Sequence, residues 1–245
     1  MIKKWLVCGD QHGSYQYLLE DLKLFYDPYK PEELGIIALG DFGLNFYLNK
    51  TDEKKKAMLN NRGYRFYLVR GNHEARPEDL SNIKMVYDEE IRGNIYLEEE
   101  YPNIRYLIDG ETYSFGKYKA LVVGGSYSVD KEYRLLNHYP WFPNEQLTEK
   151  EMNEIERINS GKSFDFIFAH TCPLSFQPLD LFLSFIDQSK VDNSMEVWLE
   201  DFIQKINFKC FLFGHYHQDR KINDKAYMLY HNLIPLDNFL SGQVW

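Results

Sequence analysis

WLVCGDQHG at residues 5–13 joins a short apolar run to a polar loop, and this arrangement recurs along the chain. Apolar runs also precede GDFG at residues 40–43, RGNHE at residues 70–74, His170 and GHYH at residues 214–217. Each run has the length of a buried β-strand, and longer amphipathic segments alternate with the runs. The alternation predicts a layered α/β fold in which polar loops follow the strands.

Six strands and four helices are predicted from these patterns. The strands cover residues 5–7, 34–39, 66–69, 121–123, 164–169 and 208–213, and the helices cover residues 15–25, 52–61, 148–159 and 194–206. Thr148 and Glu151 form a capping box, which marks the start of the third helix. Period-two alternation predicts an antiparallel meander over residues 104–123, and a hairpin is predicted over residues 219–230. We expect one domain spanning residues 1–245, because no Gly-, Ser- or Pro-rich linker divides the chain.

The composition of the 245-residue chain is ordinary for a globular protein, with 44% hydrophobic and 27% charged residues. It excludes a mainly disordered chain, a collagen-like repeat and a polytopic membrane protein. With a formal net charge of −9, strong nucleic-acid binding is not expected. Three widely spaced cysteines without a CxxC pair indicate reduced thiols. Because the sequence has no signal peptide or membrane-spanning stretch, we expect a cytoplasmic protein that does not bind membranes.

Histidines are concentrated in the loops that follow the predicted strands. Of the seven histidines, five lie in such loops, at positions 12, 73, 170, 215 and 217. Since sites in α/β proteins form where strands end in loops, we expect these side chains to converge. The pairs Asp10/His12 and His215/His217 have i, i+2 spacing, which in extended backbone places both side chains on one face. Imidazole suits Mn, Fe, Zn or Ni ions, carboxylates add oxygen ligands, and a carboxylate such as Asp41 can bridge two cations.

In this order, the motifs GDxH, GDxG, GNHE, a single strand-end histidine and GHxH resemble those of the calcineurin-like metallophosphoesterases. The resemblance extends from residue 8 to residue 217, and it implies an αββα sandwich, an α/β fold of two mixed β-sheets flanked by helices. Carried over by position, it assigns Asp10, His12, Asp41 and His217 to one metal ion and Asp41, Asn72, His170 and His215 to a second. Two divalent ions are therefore implied, with Mn²⁺ expected and Fe, Zn or Ni as alternatives.

The same resemblance implies a metal-dependent phosphatase or phosphodiesterase. A hydroxide bridging the two ions would attack phosphorus in line, and His73 would assist the leaving group as the catalytic residue. The expected substrate is a phosphorylated small molecule or a nucleotide, with a phosphoprotein as the alternative. Preference for monoesters or diesters stays open, as does the oligomeric state. A catalytically silent interaction scaffold on the same fold is the second hypothesis. The presence of a suitable residue at all seven ligand positions, together with His73, favours the enzyme.

One departure from the family pattern concerns the residues after Asp41. Many members have an Asp three residues after the bridging Asp, where it orients the catalytic histidine, and the Ser/Thr protein phosphatases have an Arg next to it. Here these positions hold Leu44 and Asn45. Glu74 is adjacent to His73, but consecutive side chains rarely face one another. We therefore expect another group to orient His73.

Two further segments are candidates for substrate contact. In the loop over residues 124–134, Arg134 is predicted to bind the substrate phosphate, together with Asn72. The alternative is that the charged residues of this loop form a solvated ion-pair cluster. The apolar run over residues 180–186 is interpreted either as a lid or partner surface or as a short packed helix.

Overall fold

Two β-sheets and six α-helices make up residues 1–244, the part of the chain described by the computed structural model. In chain order the strands are β1 (Lys4–Cys8), β2 (Leu34–Ala38), β3 (Arg65–Leu68), β4 (Ile83–Asp88), β5 (Gly93–Glu98), β6 (Ile104–Leu107), β7 (Thr112–Phe115), β8 (Tyr118–Val123), β9 (Ser163–Ala169), β10 (Asn207–Phe213), β11 (Arg220–Asn223), β12 (Ala226–Met228) and β13 (Ile234–Pro235). The helices are α1 (Gln16–Phe25), α2 (Lys50–Asn60), α3 (Lys131–Leu136), α4 (Glu149–Asn159), α5 (Ser194–Phe202) and α6 (Leu236–Ser241).

Parallel strands form the centre of both sheets. The seven-stranded sheet has the order β13-β1-β2-β3-β6-β5-β4, and the six-stranded sheet has the order β11-β12-β10-β9-β8-β7. Strands β1, β2, β3 and β6 are parallel neighbours in the first sheet, and β8, β9, β10 and β12 are parallel neighbours in the second. Because parallel neighbours end at the same edge of a sheet, the loops that follow them lie side by side.

The two sheets pack face to face through a core to which both contribute. In β1, Trp5 and Val7 belong to this central core, whereas Leu6 and Cys8 belong to the outer layer, as the alternation of side chains along a strand requires. The outer layer of the seven-stranded sheet includes residues of α1 and α2. The outer layer of the six-stranded sheet includes residues of α4 and α5. This order of layers confirms the predicted αββα sandwich.

Most of the predicted elements are present. The six predicted strands correspond to β1, β2, β3, β8, β9 and β10, and the four helices correspond to α1, α2, α4 and α5, although α5 ends at Phe202 rather than at residue 206. Strands β11 and β12 form the predicted antiparallel hairpin. The three cysteines, Cys8, Cys172 and Cys210, are buried and free.

None of the helices within residues 1–244 combines the length and the apolar character that crossing a membrane requires.

The meander predicted over residues 104–123 is wrong in its first strand. Strand β6 pairs with β3 and β5 in the seven-stranded sheet, while β7 and β8 form a hairpin in the other sheet. The chain therefore crosses between the sheets at the turn that contains Gly110, where φ is 81°. Alternation of polar and apolar residues reports which face of a strand is buried, but it does not report which sheet the strand joins.

The start of α4 is fixed by the predicted capping box. The Thr148 hydroxyl accepts a hydrogen bond from the Glu151 amide at 3.3 Å, and the Glu151 carboxylate accepts one from the Thr148 amide at 2.7 Å. Two amides that helix geometry leaves without partners are thereby satisfied.

Thr148→Ala is expected to lower the free energy of unfolding by about 1 kcal/mol, because it removes this cap. Urea denaturation measures the change. Thr51→Ala is the matched control, since Thr51 is an exposed residue in the first turn of α2, where Asn49 is the cap. An equal loss in both variants would contradict the stabilising role of the cap.

Candidate metal centre

Loops from both sheets bring the predicted ligands to one edge of the sandwich. Asp10 follows β1, Asp41 follows β2 and Asn72 follows β3 in the first sheet, while His170 follows β9 and His215 follows β10 in the second. The two groups of loops face each other: the His170 imidazole Nδ1 contacts the Leu39 carbonyl at 2.8 Å, and the His215 amide donates to Asp10 Oδ1 at 2.9 Å. The predicted convergence of strand-end side chains is therefore present.

Left-handed backbone conformations are concentrated at this edge. Within residues 1–244, seven non-glycine residues have positive φ, and four of them are predicted ligands: His12 (47°), Asp41 (45°), His215 (69°) and His217 (54°). The extended backbone assumed for the i, i+2 pairs is thus wrong for His12, His215 and His217, although the side chains do converge. Residues other than glycine rarely adopt positive φ, and residues strained in this way cluster at functional sites.

The first cluster contains Asp10, His12 and His217. Asp10 Oδ2 lies 3.2 Å from His217 Nε2 and 3.8 Å from His12 Nε2. The two Nε2 atoms are 2.8 Å from each other. If one of these Nε2 atoms carries a proton, it donates a hydrogen bond to the other. If neither does, the two nitrogen lone pairs face each other. The nitrogens and the carboxylate thus point at a common centre.

The second cluster contains Asn72 and His170. Because a carbonyl oxygen only accepts, His170 Nδ1 must donate its proton to the Leu39 carbonyl. The other nitrogen, Nε2, faces Asn72 Oδ1 at 2.7 Å and Asp41 Oδ2 at 3.6 Å. Burial alone would lower the pKa of His170, but the Asp41 carboxylate raises it to about 9. The Asp41 carboxylate thus favours positive charge at this position, and a metal ion held by His170 Nε2, Asn72 Oδ1 and Asp41 Oδ2 would take the place of the Nε2 proton.

Asp41 lies between the two clusters. Its Oδ2 atom is 4.0 Å from His12 Nε2 and 3.6 Å from His170 Nε2, while its Oδ1 atom accepts a hydrogen bond from the His73 amide at 2.8 Å. Burial acts to raise the pKa of Asp41, but His170, His73 and His12 outweigh it and hold the pKa well below its usual range. The buried carboxylate is thus ionised, and one of its oxygens faces both groups of ligands.

His215 completes the set from the second sheet. Its ring lies 5.1 Å from the ring of His170, and its Nε2 atom is 3.1 Å from the hydroxyl of Ser126. Burial, together with the charge of His170, lowers the pKa of His215 to about 3. The neutral imidazole that results is the form that binds metal ions.

His73 lies beside the first cluster, with its ring 5.3 Å from that of His12. Phe46 stacks on it at 6.3 Å, and Asp130 Oδ1 is 3.8 Å from its Nε2 atom. Leu44, which stands where the orienting Asp of the family would be, is fully buried in the outer core. Phe46 and Asp130 are the neighbours of His73 that sequence reasoning missed, and no local motif marks either of them.

Glu74 holds the loop that follows Asp41. Its carboxylate accepts hydrogen bonds from the amides of Gly43 and Leu44. Burial, together with the charge of Asp41, raises the pKa of Glu74 to about 7. The last residue of the GNHE motif therefore fixes the backbone next to Asp41 and does not face the His73 ring.

Arg134 is buried and contacts the site through Ser128. Its guanidinium donates to Ser128 Oγ at 3.1 Å and to the Pro140 carbonyl at 2.8 Å. Ser128 Oγ also accepts from Asn72 Nδ2 at 2.8 Å and donates to Glu145 Oε2 at 2.5 Å. This network orients Asn72 so that its carbonyl oxygen faces His170. Direct binding of phosphate by Arg134 stays a prediction, and the guanidinium is not in the lining of the cavity next to the ligands.

The donor set suits divalent transition-metal ions. Three overlapping groups of side chains have ligand atoms within 4.8 Å of one another: Asp10, His12 and His217; His12, Asp41 and His73; and Asp10, Asp41 and His170. Imidazole nitrogens and carboxylate oxygens whose lone pairs converge repel one another unless a cation lies between them. The residues present at this edge therefore fit the metal ions implied by the sequence.

Residues 3–219, most of the chain, match the sequence profile of a family described as calcineurin-like phosphoesterase. None of the curated proteins matches the sequence. One solved crystal structure is similar with a TM-score of 0.51 at 14% sequence identity, covering 97% of this chain and 96% of that chain. The phosphopantetheinyl hydrolase (PptH) from Mycobacterium tuberculosis has a TM-score of 0.46 at 13% identity, covering 93% of this chain and 88% of that chain. The first of these similarities agrees with the two-sheet fold described above.

Gly71→Ala is expected to abolish metal binding while leaving the chain folded. A Cβ atom at this position would overlap the Oδ1 and backbone N atoms of Asp41, so the loop would have to move away from the shared carboxylate. Titration calorimetry with Mn²⁺ and circular dichroism measure the two effects.

Gly161→Ala is the control for this substitution. A Cβ atom there meets nothing within 4 Å, but the φ of 78° makes the change cost about 1–2 kcal/mol of stability. Loss of Mn²⁺ binding in both variants would mean that instability, rather than displacement of Asp41, is the cause.

Proposed function

The chain belongs to the calcineurin-like phosphoesterase family, and from this premise we propose that it hydrolyses phosphate esters with two bound divalent ions, Mn²⁺ in the first place. Asp10, His12 and His217 would hold one ion, Asn72, His170 and His215 would hold the other, and Asp41 would bind both. The observation that carries the proposal is the position of Asp41 Oδ2, 4.0 Å from His12 Nε2 in one cluster and 3.6 Å from His170 Nε2 in the other. One carboxylate oxygen that faces two ligand groups is suited to bridge a pair of ions.

The charges around the site support a requirement for cations. The cavity next to the ligands is lined by Asp41, Asp130, Asp192 and Glu196, and within residues 1–244 its lining contains no Lys or Arg. A phosphate entering this cavity alone would be repelled. When bound, two divalent ions would supply compensating positive charge and acidify a water for attack on phosphorus.

His73 is proposed as the group that assists departure of the alcohol. Its ring borders the same cavity, next to Asp41 and Asn72. The His73 amide is tied to Asp41 Oδ1, and its ring packs on Phe46, so the imidazole is held at the edge of the metal centre without being needed in either ligand set. An imidazole N–H can donate a proton to a leaving oxygen. Asp130, 3.8 Å from His73 Nε2, is the carboxylate available to stabilise the charged form of the ring.

A catalytically silent scaffold on the same fold is not favoured. A scaffold that binds no metal would gain nothing from seven converging ligand side chains. Four of these residues have left-handed backbone conformations, and this strain costs stability. The substrate is proposed to be a phosphorylated small molecule, and a cytoplasmic location stays a prediction.

The wild-type chain is expected to bind two Mn²⁺ ions, and its esterase activity should disappear with EDTA and return with Mn²⁺. Asp41→Asn should weaken Mn²⁺ binding at both positions. The loss of affinity should exceed the roughly 10–100-fold that removal of a hydrogen bond to a metal ligand costs. His217→Ala should affect one position only. Elemental analysis and titration calorimetry measure the stoichiometry.

His231→Ala is the matched control, because His231 lies outside both clusters. It should retain two ions. A stoichiometry of one or none in the Mn²⁺-loaded wild type would overturn the two-ion proposal.

His73→Ala should retain both ions but lose about 10²–10⁴-fold in kcat for alkyl phosphate esters, the usual contribution of a positioned acid. The loss should be smaller for 4-nitrophenyl esters, because a good leaving group needs little protonation. The measurement is the dependence of rate on leaving-group pKa, which should become steeper in the variant. Equal rates for alkyl and aryl esters in variant and wild type, with metal retained, would exclude this role.

A further inference from the structure

A cavity of about 440 Å³ opens next to the proposed metal centre. One end is formed by Asp41, Asn72 and His73 and by the loop over residues 215–217. The segment over residues 181–191 lines another part of the cavity. The volume is within the range of small-molecule binding sites, so the cavity has room for an organic group attached to the phosphate.

The wall of the cavity formed by the segment over residues 181–191 is largely apolar. Six residues of this segment line the cavity, and all but Gln188 are apolar: Leu181, Phe182, Leu183, Ile186, Gln188 and Val191. The ring of Phe182 lies parallel to that of Tyr216, with centroids 6.2 Å apart and an angle of 8° between the planes. The run over residues 180–186 is therefore not the short packed helix that was one interpretation of it. It contains a 3₁₀ turn at Leu179–Leu181 and contributes side chains to the cavity.

Within the described part of the chain, the polar residues of the cavity include carboxylates but no Lys or Arg, and its histidines, His73, His215 and His217, all lie at the proposed metal centre. Asp130, Asp192 and Glu196 lie in its lining. Burial acts to raise the pKa of Asp192, but hydrogen bonds from Ser194 and Gln146 outweigh it and keep the carboxyl ionised. Arg134 lies 3.8 Å from Asp130 Oδ1 but outside the lining, so a second phosphate or a carboxylate on the substrate would face the carboxylates of the cavity without a cation of its own.

Resting on the proposed esterase function, we propose that this cavity binds the organic group of the substrate and that this group is apolar or aromatic and carries no second anionic group. The substrate class is thus a phosphate ester of a hydrophobic alcohol. The phosphate would lie at the metal centre, where positive charge is available, and the organic group would lie against Phe182, Ile186 and Tyr216. Nucleoside polyphosphates, bisphosphates and nucleic acids have further anionic groups, for which the described lining of the cavity offers no Lys or Arg.

Competitive inhibition by phosphonates tests the proposal, because phosphonates bind like phosphate esters but are not cleaved. The Mn²⁺-loaded enzyme is assayed with whichever of 4-nitrophenyl phosphate and bis(4-nitrophenyl) phosphate it hydrolyses. From ethyl- to hexylphosphonate, Ki should fall by up to about fourfold for each added methylene, the equivalent of about 0.8 kcal/mol. 5-Carboxypentylphosphonate, which resembles hexylphosphonate in length but ends in a carboxylate, should bind at least about tenfold more weakly.

Lysine substitutions test which residues of the cavity wall contact the organic group of the inhibitor. Ile186→Lys should raise Ki for hexylphosphonate by about tenfold, because it replaces apolar wall with an ammonium group, and should lower Ki for 5-carboxypentylphosphonate. Leu183→Lys is a second variant with the same expected reversal. Phe185→Lys is the matched control, since Phe185 belongs to the same segment, is 78% exposed and is not in the lining. Neither Ki should change in this control.

The outcomes separate the inference from the function on which it rests. A Ki that does not depend on chain length, or that is equal for the two six-carbon inhibitors, would overturn the inference while the esterase function stands. Equal effects of Ile186→Lys and Phe185→Lys would also overturn it. Failure of the metal-loaded wild type to hydrolyse either ester would instead overturn the proposed function, and the inference with it.

Discussion

The arrangement of this edge of the protein depends on the buried negative charge of Asp41. Its side chain is 2% exposed, and an ionised carboxylate in such a place is unstable unless charged or polar partners surround it. The partners come from every loop nearby: the His73 amide donates to Oδ1, and His170 and His12 face Oδ2. The main-chain carbonyl of Asp41 in turn accepts from the amides of Gln11 and His12. Stabilising this one carboxylate therefore requires the loops after β1, β2, β3 and β9 to meet.

The layers of the sandwich make that meeting possible. Each sheet supplies parallel strands with buried carboxyl ends, so the loops that follow them begin at fixed positions. Only a few loop residues are then needed to reach the cluster of ligand side chains. The close approach leaves no space for side chains at certain positions. A Cβ at Gly71 would overlap Asp41, and one at Gly40, where φ is 99°, would overlap the His170 ring. The glycines of the motifs are thus required by the packing of loops from opposite sheets.

Local motifs in the sequence predicted the strand ends and the convergence of the polar side chains that follow them, and the family resemblance that these motifs carry implied the layer order and the seven ligand side chains. They succeeded because each ligand lies within a few residues of a strand that burial makes easy to recognise. They did not predict the left-handed backbone at His12 and His217, since a polar loop has no periodicity that reports its φ angles. They also missed Asp130 as a neighbour of His73, because that contact joins loops distant in sequence and depends on the packing of the sheets. The passage of the chain from β6 in one sheet to β7 in the other was not predicted for the same reason.

Charge on this protein is best understood locally. A net charge of −9 and an acidic cavity both oppose the binding of a phosphate ester, so attraction has to arise at the metal centre itself. This couples the two binding events: if cations make the cavity attractive to phosphate, then by thermodynamic reciprocity a bound phosphate must strengthen the binding of the cations by the same factor. Asp41 lies at the centre of that coupling, because its carboxylate faces both ligand groups and borders the cavity. Within the described lining, which has no Lys or Arg, the acidic surroundings would then act as a selective feature: an anion would be stabilised at the metal centre, and a further anionic group on the substrate would face carboxylates.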